Sequence, residues 1–407
     1  MKTKTKILAV AVAILLSFGL VWMTSCQLKV DENELVVMTQ FGGEDPQSPA
    51  YQVGVKAFKD SHPGIKLTDK SFGVAEGTDS IVETAFAGNA TSHPDVVYHF
   101  SPSRNDSIKQ FLASVADIKS KYADYGKGFT VQDSDPYTLN FTGNTFGMFY
   151  KEDAFETTDF ESYTSLISKL KSPSISGSKI VNFSAEPHYW FNYIGINKMG
   201  DKWSETPDKA WFEKYKTEII GVIDELKIVF SDIGLSSPGT IQYSEEKAQL
   251  WNGERVFAVE GNWSAGGFYD PGNGGEGYKI ATLPFDNDTD DNPYVLAGYF
   301  SGWMISKNAF NNAAKLKNAV EFIQAQLDNV TLFAGVAANG ASASDDKPLV
   351  AQAKAIAATP NAKVIAPLDD RIQNAAAKAE LYSKLTGMLQ GGKESGESIV
   401  NSVLSMF

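Results

Sequence analysis

Leu35-Val36-Val37-Met38-Thr39, then Gly42-Gly43, a stretch from Pro49 to Ser61, Pro63-Gly64 and Ile65-Lys66-Leu67-Thr68 set the pattern from which the fold is read. The first run is β-branched and apolar, as a buried strand is, and its closing glycines supply a turn. In the next stretch Val53, Val55, Ala57 and Phe58 recur at helical spacings, so 49–61 predicts a helix that Pro63-Gly64 ends. Ile65 to Thr68 alternates like a strand. Asp79 to Ala87 predicts another helix, and Pro94-Asp95-Val96-Val97-Tyr98 a second short buried strand. Repeated strand–helix units predict an α/β protein with a mostly parallel, doubly wound sheet, whose ligands bind at the carboxyl ends of its strands.

The alternation continues with longer helices. Glu161 to Lys171, Lys209 to Ile233 and Glu245 to Trp251 predict helices, while Lys179 to Phe183 and Val256 to Val259 predict strands. No internal repeat of fixed period is present. Asp369 to Gln390 and Ser395 to Phe407 predict two closing helices parted by Gly391-Gly392, a break suited to a helix C-terminus.

The 407 residues suit two domains, and 43% hydrophobic with 21% charged residues is a globular composition. Net charge is -13; of 36 basic residues three lie in the first six positions, leaving 33 against 49 acidic after Cys26, or -16. Such a body repels polyphosphate, which argues against a nucleic-acid partner.

Residues 1–25 have the make-up of a signal peptide: Lys2, Lys4 and Lys6 precede the apolar run Ile7 to Val21, too short to span a bilayer comfortably. Met23-Thr24-Ser25-Cys26 resembles the bacterial lipobox, with Met23 where Leu is usual, and implies cleavage before Cys26 and lipidation on it. Cys26 is the only cysteine, so neither an intramolecular disulfide nor a multi-cysteine metal site is available. The expectation is a soluble body, tethered through 26–34 to the outer face of a membrane by lipid alone.

Several short patterns then follow in order. They are Ser92-His93-Pro94-Asp95-Val96-Val97, Phe146-Gly147-Met148-Phe149-Tyr150-Lys151-Glu152-Asp153-Ala154-Phe155, and Leu250-Trp251-Asn252-Gly253-Glu254-Arg255-Val256-Phe257-Ala258-Val259-Glu260-Gly261-Asn262-Trp263. Ala281-Thr282-Leu283-Pro284, the strand Gly298 to Ser306 and Gly391-Gly392-Lys393-Glu394-Ser395 complete the series. In this order they resemble the extracellular solute-binding protein family of sugar ABC importers, to which periplasmic maltose-binding protein belongs, with Tyr150-Lys151 where Tyr-Asn is favoured. The resemblance implies a two-lobed, periplasmic-binding-protein clamp, each lobe a doubly wound sheet flanked by helices. Discontinuous lobes, 35–143 with 302–342 and 144–301 with 343–407, would be joined by hinge crossovers near Phe141 to Thr145, Leu296 to Ser301 and Ala338 to Asp345. It implies a monomer that takes a sugar or oligosaccharide between its lobes and hands it to permease subunits, with no chemistry and no cofactor.

Sugars offer apolar C–H faces and a rim of hydroxyls, so their sites pair flat aromatic rings with carboxylates, amides and guanidinium groups. Trp263 matches a position that commonly stacks on the ligand in this family. Glu186-Pro187-His188-Tyr189-Trp190 resembles a cleft segment, with His188 in place of an aromatic residue, and offers Glu186, Tyr189 and Trp190. Tyr299 and Trp303, Glu44 and Asp45 after the first glycine turn, and Arg104 after the strand at Tyr98 complete the expected contacts. Two other classes share parts of this pattern. A secreted glycoside hydrolase would cast Glu186 and Glu260 as its carboxylate pair, although no G-x-S-x-G elbow is present, and a surface adhesin lipoprotein would need no hinge. Metal sites are disfavoured: Asp286 to Asp290 starts like a calcium loop but has Asp291 where a turn glycine belongs, and the four histidines show no ligand spacing.

Overall fold

A computed structural model describes residues 31–407 apart from 43–44, 46, 74–77, 89–91, 101–105, 130, 132–134, 176–186, 234–242, 266, 270–276, 287–292, 334–347 and 358. The leader with Cys26, the expected strand at 179–183 and the expected crossover at 338–345 lie outside the described residues.

β1 (Glu34–Met38), the helix Ser48–Ser61, β2 (Lys66–Asp69), the helix Thr78–Ala87 and β3 (Val96–Phe100) follow one another as the sequence predicts. β1 pairs in parallel with both β2 and β3. Leu35, Val37, Val96 and Tyr98 face a cluster that includes Tyr51 and Phe58. Met38 and Val97 face another with Val82 and Phe86. Successive side chains thus enter opposite clusters, and a strand covered on both faces needs an unbroken apolar run, as Leu35 to Met38 is. The Ser48–Ser61 helix buries Ala50, Tyr51, Gly54, Val55 and Phe58, at spacings of three and four, and leaves Val53 exposed.

β4 (Leu139–Lys151), β5 (Phe257–Gly261), β6 (Tyr278–Ala281), β7 (Tyr294–Ile305) and β8 (Lys363–Ile365) complete a sheet of order β2-β1-β3-β7-β4-β5, with β6 on β4 and β8 on β7. The β7–β8 pair is parallel, but β3–β7, β4–β7, β4–β5 and β4–β6 are antiparallel. The sheet is therefore mixed rather than mostly parallel. The reason lies in β4 and β7, 13 and 12 residues long, which run antiparallel through two hydrophobic bodies instead of closing within one.

Phe141 packs in the body of β1 and Phe146 in a second body; Trp303 returns β7 to the first and Ala297 belongs to the second. Between them, 143–145 of β4 and 297–300 of β7 pair with each other and, among the described residues, with no third strand. Register shifts bound this ribbon: Phe141 is the extra residue between Asn140 and Thr142, and Gly298 the extra residue opposite Asn144 and Thr145.

The second body gathers helices around β4 to β6, with Leu166, Ile194, Ile223, Leu385 and Val403 in its core. The helix expected over 209–233 is two, Lys209–Lys214 and Lys216–Asp232, because the chain leaves helical geometry at Tyr215. The closing helices are Ala375–Leu389 and Gly396–Ser405, with Gly391 at φ +88° between them. The helix expected over 369–390 is two, Leu368–Arg371 and Ala375–Leu389, because the chain turns extended at Ile372 and the Asn374 side chain accepts the Ala377 N–H as the cap of the second. Among the described residues no helix is long and apolar enough to cross a membrane.

Candidate functional site

The helix Tyr243–Trp251 stops at Gly253, whose φ of +84° a side chain would strain, and the Glu254 and Arg255 N–H groups donate to the Gln249 carbonyl. β5 follows, buried along its length, and opens into the 3-10 turn Asn262–Ala265. Trp263, in this turn, is half-buried and packs against both hydrophobic bodies. Its ring lies 5.2 Å from Phe146, edge to face, and 6.0 Å from Tyr189. A Cβ on Gly261 would meet the indole at 1.9 Å, so the Gly-x-Trp spacing exists to let the ring lie on bare backbone.

Tyr189 stands in the first turn of the helix His188–Met199, almost fully buried and 4.9 Å from Phe146. His188 beside it is half-buried, with Tyr189 at 4.3 Å and Tyr382 at 5.3 Å. A buried amide fixes this helix: Asn192 Nδ2 donates to the His188 carbonyl at 2.8 Å and to Asp369 Oδ1 at 3.3 Å, while its Oδ1 accepts from Leu368 N at 2.6 Å and Trp203 Nε1 at 3.2 Å. With its donors and acceptor used, the amide leaves the helix start little freedom.

Asp45 follows the first glycine turn, and its Oδ1 accepts the Gln47 N–H at 2.8 Å. Burial pushes its carboxyl up to about 6, opposed by the Gln47 N–H and by the positive charge of Lys247. Asp45 lies between Phe41 and Ala50 of the first body and Lys247 three residues before Leu250 of the second, so this attraction acts between elements of the two bodies. Lys247 Nζ also lies 5.3 Å from the Trp251 ring centre, four residues along its helix.

Trp190 and Trp303 correct the sequence expectation, since both have 0% exposure. Trp190 is enclosed by Tyr193, Phe230 and Phe257, and Trp303 by Tyr98, Phe141 and Phe322. Each is a core residue of its own body. Glu260, the one described member of the expected hydrolase pair, is likewise fully buried, and its Oε1 accepts the Gly261 N–H at 2.8 Å. Tyr299 is placed by its backbone in the ribbon, opposite Asn144. Glu44, Arg104 and Glu186 lie outside the described residues.

Sequence reasoning missed Lys247, Asn192 and Tyr382 as neighbours of the site. Lys247 carries a signal, its i,i+4 spacing to Trp251. Tyr382 carries none, being 194 residues from His188. A groove of about 550 Å³ lined by Phe160, Ser162, Thr282, Pro284 and Asp286 belongs to the second body and holds none of the expected residues; both Asp286 carboxylate oxygens already accept from Thr164. Among the described residues no group of three or more His, Cys, Asp or Glu is placed to hold a metal.

The profile of the family described as bacterial extracellular solute-binding protein matches residues 43–330. Among solved structures, a chitin oligosaccharide binding protein superposes with a TM-score of 0.73 at 16% identity, covering 91% of this chain and 97% of its own. Maltose-bound MalE3 of T. maritima does so with 0.67 at 13%, covering 91% and 98%. A Streptococcus pneumoniae solute-binding protein in complex with the blood group A-trisaccharide gives 0.67 at 17%, also covering 91% and 98%. No curated protein sequence matches the chain. The two bodies are the lobes of the two-lobed solute-binding fold, and the chain belongs to the bacterial extracellular solute-binding protein family.

Proposed function

We propose that the protein captures a sugar or small oligosaccharide between its lobes and delivers it to the permease of an ABC importer, from the outer face of a membrane to which lipid on Cys26 holds it. The observation that carries this reading is Trp263: a half-buried indole, seated on Gly261 and packed against both lobes, offers a flat apolar surface where a ligand between them would lie. Tyr189 supports it from behind, and Asp45 brings a carboxylate for hydroxyls from the opposite lobe. The structural relatives are consistent with this ligand class, since those described above carry chitin oligosaccharide, maltose and a trisaccharide in their names. The lobes divide as 35–143 with 302–342 and 144–301 with 343–407, which agrees with the core memberships of Phe141, Phe146, Ala297 and Trp303.

A thermal-shift screen of residues 27–407 against sugars, polyols, amino acids and peptides tests the proposal. A ligand of the folded state at about a hundredfold its Kd adds about 2.7 kcal/mol. One sugar class raises the melting temperature, and Trp263→Ala weakens its binding at least about tenfold, or 1.4 kcal/mol. A shift with peptides or amino acids alone overturns the sugar assignment.

A further inference from the structure

The turn that carries Trp263 is bonded directly to the ribbon that joins the lobes. Thr145 is the last β4 residue of the ribbon, at the register shift where Gly298 is extra on β7. Its N–H donates to Asn262 Oδ1 at 3.3 Å, and both residues are buried, 5% and 7% exposed. A buried amide needs an acceptor, and at this bulge, where the ladder shifts register, the Asn262 oxygen offers one from outside the ribbon. The next residue of β4, Phe146, pairs with Gly261. Three consecutive residues therefore have distinct tasks: Gly261 seats the indole, Asn262 holds the ribbon and Trp263 presents its ring.

We propose that Asn262 is a positioning residue that couples the Trp263 turn to the interlobe ribbon, so that the pose of the indole and the angle between the lobes are set together. Load on the indole is then passed through one residue to Thr145, which among the described residues pairs on the ladder with β7 alone. The functional consequence rests on Trp263 being a ligand contact, but the coupling itself needs no ligand and is measured without one. Aspartate at 262 retains an oxygen that accepts from Thr145; alanine does not.

The test uses the full-length chain in detergent. Cys26 is the only cysteine, so Cys26→Ser with Val53→Cys and Ile228→Cys, exposed positions on the first and second lobes, reports the interlobe distance through paired spin labels. The parent and Asn262→Asp share one distance distribution, while Asn262→Ala broadens it. In parallel, amide exchange across 142–148 accelerates about tenfold in Asn262→Ala and not in Asn262→Asp. Should the alanine variant fail to fold, Asn262→Ser, whose side chain falls short of Thr145, takes its place. An unchanged distribution and unchanged exchange in the alanine or serine variant overturn the coupling, as does an aspartate variant that behaves like alanine. With no sugar present, failure of the sugar assignment leaves these outcomes untouched.

Discussion

Trp263, Trp190 and Trp303 are one residue type in three stretches of similar composition, and only burial separates their roles. Trp263 follows a strand end and a glycine that frees the space for its ring, whereas Trp190 and Trp303 point into cores from within a helix and a strand. The Gly-x-Trp spacing was legible; the depth of the other two depended on partners such as Phe230 and Phe322, far away in sequence. Asp45 gives the prediction at this scale. Its carboxyl, raised by burial from 3.8 to about 6, keeps its proton in the folded protein after the unfolded chain has lost it. The stability of the ligand-free protein therefore declines as pH rises through that window. The proposed contact has Asp45 take sugar hydroxyls as an ionised carboxylate, the stronger acceptor, so affinity moves the other way, about tenfold weaker at pH 5 than at pH 7. Titration calorimetry across this range checks both the slope and its loss in Asp45→Asn; a flat profile in the parent removes Asp45 from the site.

At the scale of elements, strand–helix alternation was readable because local composition decides it. Leu35 to Met38 carries a core on both faces, and Gly391 marks the last helix break with its positive φ. Strand direction was not readable from composition: only the family resemblance suggested crossings near Phe141 to Thr145 and Leu296 to Ser301, since direction depends on pairings between 139–151 and 294–305. One long-range contact holds the helix Ala313–Leu327 to the start of β1 and β3. Lys315 Nζ donates to Asp95 Oδ2 at 2.7 Å and to the Glu34 carbonyl at 3.0 Å, and the Val36 N–H donates to the same Asp95 oxygen. Burial holds the Asp95 carboxyl above the usual carboxylate range in spite of this ammonium. Removing one partner of such a buried pair leaves a charge uncompensated, so Lys315→Met costs about 3 kcal/mol in urea unfolding. A loss below about 1 kcal/mol would mean that the pair contributes no more than a surface one.

At the scale of the whole molecule, the described residues link the two cores by a ribbon whose strands pair only with each other, and such a ribbon bends and twists more readily than a wide sheet. Trp263, packed against both cores, and the attraction between Asp45 and Lys247 put apolar and charged groups where the proposed clamp would close. On the proposed reading, a ligand held there binds the closed arrangement better than the open one and shifts the population toward it. Small-angle scattering from residues 27–407, with and without a sugar that raises the melting temperature, measures this directly. The account predicts that, with that sugar at about its parent Kd, the radius of gyration falls in the parent protein and falls much less in Trp263→Ala. A sugar that binds tightly yet leaves the scattering of the parent unchanged would contradict the clamp.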